Sequence, residues 1–161
     1  MTKILAWESG ELKEFEKLEV HRKGLRHPAI SVFIFSTNKL LLQRRALEKY
    51  HTPGLWTNTC CTHPFPGEKS DSCSKRRLKE EMGITGVSLN FSTSIEYKAN
   101  VGNNLIENEV VDIFFGFIEK ISTFRFTPNP EEVMDTQWIS IENLKKEIEI
   151  CPEKFTPWLR I

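Results

Sequence analysis

The stretch that most constrains the fold is Glu107-Asn108-Glu109-Val110-Val111-Asp112-Ile113-Phe114-Phe115-Gly116-Phe117-Ile118. Side chains alternate across a strand, so Glu107, Glu109, Val111, Ile113, Phe115 and Phe117 share one face. Any fold that buries this face also takes two carboxylates, roughly 7 Å apart, out of water. That is costly unless something positive sits against them. A metal ion is one solution, and its other ligands have to come from elsewhere in the chain.

A second dense stretch runs from Asn58-Thr59-Cys60-Cys61-Thr62-His63-Pro64 through Gly67-Glu68 to Lys75-Arg76-Arg77-Leu78-Lys79-Glu80-Glu81-Met82-Gly83-Ile84. If its first part is extended, Cys61 and His63 point to the same side and Cys60 to the other. From Ser70 or Asp71, either of which can cap, a helix is expected to about Met82, with Gly83 ending it in a left-handed conformation. Leu78 and Met82 then face the core, while Arg77 and Glu81 emerge together one turn apart.

The remaining elements follow from pattern. Glu8 to Val20 reads as a short helix or an edge hairpin, and periodicity does not choose between them. Pro28 biases His27 toward an extended conformation. Ala29 to Phe35 and Leu40 to Gln43, separated by Ser36-Thr37-Asn38-Lys39, form a hairpin that delivers Arg44, Arg45 and Lys49 at its far end. Val87 to Tyr97 and Glu132 to Ile139 read as strands, and Ser140 caps a helix to about Glu149 with Leu144 and Ile148 inward. Phe155 to Ile161 is aromatic enough to dock on the body. Strands and helices without regular βαβ repetition indicate an α/β domain of the α+β type, with helices packed on mixed twisted sheets.

The chain has 161 residues, 39% of them apolar and 27% charged, and no repeat or linker divides it, so residues 1–161 are expected to form one domain. Twenty-two basic and 22 acidic side chains cancel, which gives no general attraction to nucleic acid or to acidic membranes. The N-terminal residues lack the apolar run of a signal peptide and nothing approaches a membrane span, so a cytoplasmic location is expected. The four cysteines, at 60, 61, 73 and 151, contain no C-x-x-C pair and read as free thiols.

Three sets of side chains carry possible chemistry. His21, His27, His63, Glu107 and Glu109 form a sensible N/O set for a divalent ion, although spacing alone leaves surface histidines and a solvated acidic turn open. Cys61 is either an activated thiol, with its pKa lowered by a neighbouring cation, or a small buried hydrophobe. The activated case predicts faster alkylation than at Cys60, Cys73 or Cys151. Arg44, Arg45, Lys49 and Arg77 can clamp a phosphate or diphosphate, or be a solvated basic face.

Taken in order, Gln43-Arg44-Arg45-Ala46, Pro53-Gly54-Leu55-Trp56-Thr57-Asn58, Cys61-Thr62-His63-Pro64, Arg76-Arg77-Leu78-Lys79-Glu80-Glu81-Met82-Gly83, Glu107-Asn108-Glu109-Val110 and Pro157-Trp158 resemble the type 1 isopentenyl-diphosphate isomerases, a branch of the Nudix fold. The resemblance spans about Lys17 to Trp158. It implies interconversion of isopentenyl and dimethylallyl diphosphates in isoprenoid biosynthesis, with a Nudix-type diphosphate hydrolase as the alternative and a zinc-stabilised binding module as a third reading.

By motif position the resemblance makes Cys61 and Glu109 the catalytic pair, with Tyr97 hydrogen-bonding near the glutamate. It makes His21, His27, His63, Glu107 and Glu109 ligands of a divalent ion, Mn²⁺, Zn²⁺ or Mg²⁺. Glu81 would serve the Mg²⁺ that accompanies the diphosphate. Lys17, Arg45, Lys49 and Arg77 would contact the diphosphate, and Trp158 would face a cationic intermediate. The implied partner is a small isoprenoid diphosphate, with no nucleic acid or membrane, and the protein would be a monomer or weak homodimer. Two positions depart from the Nudix signature: Thr62 stands where it has Gly, and Arg77 where it has Glu. Losing that carboxylate suits an enzyme that keeps its diphosphate intact. His21 and His27 are also spaced one residue closer than in the bacterial relatives.

Overall fold

The computed structural model describes residues 2–161. Strands β1 (Lys3–Glu8) and β2 (Glu11–Glu16) form an antiparallel hairpin across Ser9-Gly10. Both turn residues have positive φ, 53° and 82°, as a two-residue turn matched to strand twist requires. Helix α1 (Lys17–Lys23) follows at once and ends at left-handed Gly24. The segment 8–20 thus takes both forms left open by its sequence, hairpin to Glu16 and helix from Lys17. Strand β1 lies outside the sequence expectation because only Ile4 and Ala6 in it are buried, too short an alternation to separate from coil.

The expected hairpin is β3 (His27–Ser36) and β4 (Lys39–Arg45), but the two strands pair only beside the turn, at Phe35↔Leu40 and Ser36↔Lys39. Beyond that point they part. Strand β5 (Trp56–Thr57) pairs β4, and β6 (Cys60–Thr62) enters beside β3. This parting sets Cys61 opposite Ser31. Then come α2 (Ser70–Met82), β7 (Leu89–Asn100), β8 (Ile106–Phe117), β9 (Val133–Ser140) and α3 (Ile141–Ile150). The strand order is β5-β4-β3-β8-β7, with β6 also on β3 and β9 on β4, and the central pair β3–β8 is parallel.

Each sheet face has its own helix. Ile30, Val32 and Ile34 of β3 pack with Leu41 and Phe114 under Cys73, Leu78 and Met82 of α2. On the opposite face Leu40, Leu42 and Ile139 pack under Leu144 of α3 and Phe155. Each such buried aliphatic or aromatic side chain contributes about 1.5–3 kcal/mol. Helix α2 keeps its expected bounds, but neither proposed cap acts as one: the cap position is Lys69, with no side-chain bond. Ser70 instead donates its hydroxyl to Asp112 Oδ2 at 2.6 Å, tying the helix start to β8. At the other end Gly83 has φ 65°, and a Cβ there would stand 2.2 Å from the Thr127 carbonyl oxygen, so only glycine fits. Ser140 does cap α3, accepting from Asn143 N.

Candidate active site

Register explains how the buried carboxylates are met. In the parallel ladder Glu109 lies beside His27, so the His-Pro entry to β3 puts an imidazole next to the polar end of β8. His21 comes from the last turn of α1, and the left-handed turn at Gly24 folds it back: the His21 and His27 rings are 4.9 Å apart. The shortened His21–His27 spacing therefore does not separate them. His63 follows β6, and its ring is 4.9 Å from His27 and 5.1 Å from His21.

One ligand atom from each of His21, His27, His63 and Glu107 falls within 4.8 Å of the others. Glu107 Oε2 lies 3.1 Å from His21 Nε2 and 3.3 Å from His27 Nε2. Glu109 stands at the edge of this group. Its Oε1 is 3.0 Å from His63 Nε2, and its Oε2 accepts a 2.7 Å hydrogen bond from Tyr97.

The donor set fits a divalent cation. Nε2 of His21, His27 and His51, Nδ1 of His63 and Oε2 of Glu107 are buried without a well-aligned hydrogen bond, although several stand close to one another. Native proteins seldom leave such groups orphaned, and imidazole with carboxylate is common ligation for zinc and related ions. His21 and His27 spend Nδ1 on the carbonyls of Lys17 and Leu25, at 2.6 and 2.7 Å, which fixes the rings and leaves Nε2 turned to the cluster.

The two carboxylates are pushed apart electrostatically. Burial raises Glu107, but the close imidazoles of His21, His27 and His51 outweigh it and hold it well below the usual carboxylate range. Burial, and next the charge of Glu107, carry Glu109 up to about 7. Adjacent carboxyls with separated pKa values are a signature of acid–base chemistry. Burial lowers His27, but Glu107 and Glu109 offset this and take it to about 9. His63, buried and beside His27, is held well below its ordinary value. Burial and the Glu109 charge raise the Tyr97 phenol, so it remains a donor.

Glu107, Glu109, His51, His63 and Tyr97 line a cavity of about 40 Å³, which also takes in Cys61, Glu81, Tyr50 and Trp158. Cys61 and Glu109 flank β3, the first on β6 beside Ser31 and the second on β8 beside His27. The thiol is not activated in the sense expected from sequence: burial, and next Glu81, push its pKa up to about 12. Burial pushes Cys60 and Cys73 up as well, so the expected order of alkylation rests on access, and Cys61 is the more exposed of the three. Cys60 is fully buried, as the packed member of the pair.

Lys17, Arg45, Lys49 and Arg77 all line the same cavity. Glu132 bridges two of them, pairing with Lys49 and with Arg77 Nη2 at 2.9 Å. Arg77 Nε also lies 2.8 Å from Glu81 Oε2, and Gln43 donates to Glu81 Oε1 at 2.5 Å. Glu81 and Glu132 thus offset part of the charge of these four cations. Burial, then Lys49, lower the Lys17 pKa to about 8. Arg44 is not among the lining residues: it points away along β4 and donates to the Gly54 carbonyl. Glu68 and Glu80 pair with Arg76 nearer the surface.

Trp158 donates its indole N–H to Thr57 Oγ1 at 2.8 Å, and its ring lies 5.5 Å from the Arg45 guanidinium. The aromatic tail therefore docks on β5 and walls the cavity. Sequence reasoning missed Glu132 and His51. His51 is 3% exposed, and its Nε2 lies 2.9 Å from Glu107 Oε1. Burial lowers its pKa. Its nonperiodic loop offered no pattern to find it.

Comparison with known proteins identifies the family. The NUDIX domain family matches residues 25–159. An isopentenyl-diphosphate Delta-isomerase of Rhodobacter capsulatus is 55% identical over 98% of this chain and 89% of its own length. One from Cereibacter sphaeroides is 54% identical over 100% and 90%. Among solved structures, a Deinococcus radiodurans protein superposes with TM-score 0.77 at 14% identity, covering 98% of this chain and 94% of its own. A MutT protein of Methanosarcina mazei gives 0.63 at 17% identity, covering 84% and 88%. At such identities these two speak for the fold alone. The chain belongs to the Nudix domain family and, within it, to the isopentenyl-diphosphate Delta-isomerases.

Proposed function

We propose that the protein interconverts isopentenyl and dimethylallyl diphosphates by adding a proton at one end of the allylic unit and removing one from the other. The observation that carries this reading is Glu109, a buried carboxyl with pKa about 7, in hydrogen bond with Tyr97 and facing the same cavity as the Cys61 thiol. An alkene is a very weak base, so the proton has to come from a group poised near neutrality and kept dry. Glu109 meets both conditions. When it gives up its proton, the Tyr97 hydroxyl stabilises the carboxylate. Cys61, on the other side of β3, faces the opposite carbon: it takes a proton there only as the thiolate, after giving its own to a basic group of the cavity, and in the reverse direction the neutral thiol is the donor and the Glu109 carboxylate the acceptor.

Lys17, Arg45, Lys49 and Arg77 hold the diphosphate, Arg by its planar fork and Lys as a point charge. Trp158 presents an aromatic face, which stabilises positive charge developing in the hydrocarbon and helps to exclude water that would otherwise capture it. His21, His27, His63 and Glu107, with Glu109 beside them, would hold one divalent cation, and Glu81 would attend a Mg²⁺ on the diphosphate. Such ions neutralise buried carboxylates and polarise neighbouring oxygen. The reading is tested by turnover of isopentenyl diphosphate with Mg²⁺. Double-bond migration with both phosphates retained supports it, and phosphate release with an unchanged carbon skeleton favours a hydrolase.

A further inference from the structure

Four histidines approach one carboxylate, and they do not approach it alike. His21, His27 and His63 address Glu107 Oε2, at 3.1, 3.3 and 4.0 Å. His51 alone addresses Oε1, at 2.9 Å, and it is not part of the group whose ligand atoms lie within 4.8 Å. Its approach is not aligned along the ring N–H, so the contact is a short electrostatic one. The other ring nitrogen, Nδ1, is 3.0 Å from the Thr52 hydroxyl oxygen. If that hydroxyl donates, the imidazole proton is confined to Nε2, on the side of Glu107.

The local backbone makes this arrangement at a cost. Thr52 has φ 47°, in the left-handed region that β-branched residues rarely enter. Strain of this kind persists where the surroundings over-determine it, and it gathers at functional sites. Arg45 Nη2 donates to the His51 carbonyl at 3.2 Å, and the His51 ring meets Trp158 edge to face at 5.7 Å. His51 is therefore held from three sides between the carboxylate cluster, a cavity cation and the terminal indole.

We infer that His51 is a positioning residue: it holds Oε1 of Glu107 so that Oε2 is presented to the cation-binding cluster, with Thr52 setting the tautomer. The inference rests on the proposed reading of that cluster as a metal centre. Outer partners of ligating carboxylates typically alter metal affinity by about 10–100-fold, without being ligands themselves. His51 thereby also joins the cluster to Trp158 through a single side chain.

The test is a Zn²⁺ affinity measurement by competition with a chromophoric chelator on the full chain, in wild type, His51→Ala, His51→Gln and Thr52→Val. Thermal melts of each metal-free protein report folding separately. A positioning role predicts about 10–100-fold weaker binding in His51→Ala. It predicts substantial recovery in His51→Gln, whose amide can donate to the same oxygen, and a loss of a few-fold in Thr52→Val. If His51→Ala does not fold, the Gln and Val variants decide. Wild-type affinity retained in His51→Ala, or equal losses in the Ala and Gln variants, overturns the inference while leaving the metal centre standing. Wild-type protein that binds no Zn²⁺ overturns the metal reading and the inference with it.

Discussion

One face of the β3–β8 ladder carries two unlike regions. At one end His27 lies beside Glu109, with Glu107 two residues before it. At the other, Phe33 lies beside Phe115 and Phe35 beside Phe117, with Phe33–Phe115 and Phe35–Phe115 ring centroids 5.8 and 5.2 Å apart at near-perpendicular tilt. The backbone pairing is the same at both ends, yet the chemistry is opposite. Edge-to-face aromatic pairs stabilise the strands they join. Buried ionisable groups weaken the fold unless every charge is answered. The difference teaches which end is retained for stability and which for chemistry, and substitutions at the two ends should therefore separate the two properties.

Glu109→Gln gives the largest expected effect. It should lower turnover by about 10³-fold or more, at the upper side of the range for an acid–base group, while the melting temperature holds or rises because a buried carboxyl is removed. Turnover by NMR and a thermal melt read the two quantities separately. A Glu109→Gln variant with near wild-type turnover would show that the polar end is structural.

Loss of the cation from the cluster comes next. Chelation followed by dialysis should abolish turnover and lower the melting temperature, and readdition of a divalent ion should restore both. At a thousand times its dissociation constant, the ion stabilises by about 4 kcal/mol, or roughly 8–16 °C for a chain of this size.

The aromatic end should behave in the reverse way. Phe115→Ala is expected to destabilise by about 2–3 kcal/mol, the low side for a partly buried ring, as read by urea denaturation. Turnover per folded molecule should stay within a few-fold of wild type. A large loss of turnover at unchanged stability would remove the distinction between the two ends.

The smallest effect concerns a carboxylate outside both regions. Glu68 accepts from Arg76 and from the Phe65 N–H, with the Arg76 hydrogen bond as the main cause of a pKa near 2. A depressed folded-state pKa contributes stability above about pH 4.5, and that contribution is lost as pH falls toward 2. Glu68→Gln should lower stability slightly and uniformly near neutrality and flatten the stability–pH curve between about pH 4.5 and 2, so that variant and wild type converge at low pH. Glu109 is shifted in the opposite direction by burial, which makes the pair a direct contrast between a half-buried carboxylate paired with arginine and a deeply buried one beside a second carboxylate.

How much of this was legible in the sequence follows the same division. Strand β8, the β3–β4 hairpin and helix α2 are carried by strong periodicities and a C-terminal glycine, and they appear with nearly the expected bounds. Glu107 and Glu109 announced themselves as charges on an apolar face. Strand β1 and the helical setting of His21 were not legible, because each depends on short segments with few buried positions. His51 lies outside any periodic pattern and Glu132 at the first position of an expected strand, and only the folded chain brings them to Glu107, Lys49 and Arg77. Of the two readings that the sequence leaves open for Cys61, burial favours the neutral thiol, and a sequence shows the neighbouring imidazole but not that burial.

The most direct test of the central claim is ¹H and ³¹P NMR of isopentenyl diphosphate incubated with the pure protein and Mg²⁺ in D₂O. The account predicts dimethylallyl diphosphate, deuterium incorporated at carbon, and both diphosphate resonances preserved. Inorganic phosphate or monophosphate accumulating while the isopentenyl skeleton stays unchanged would contradict it.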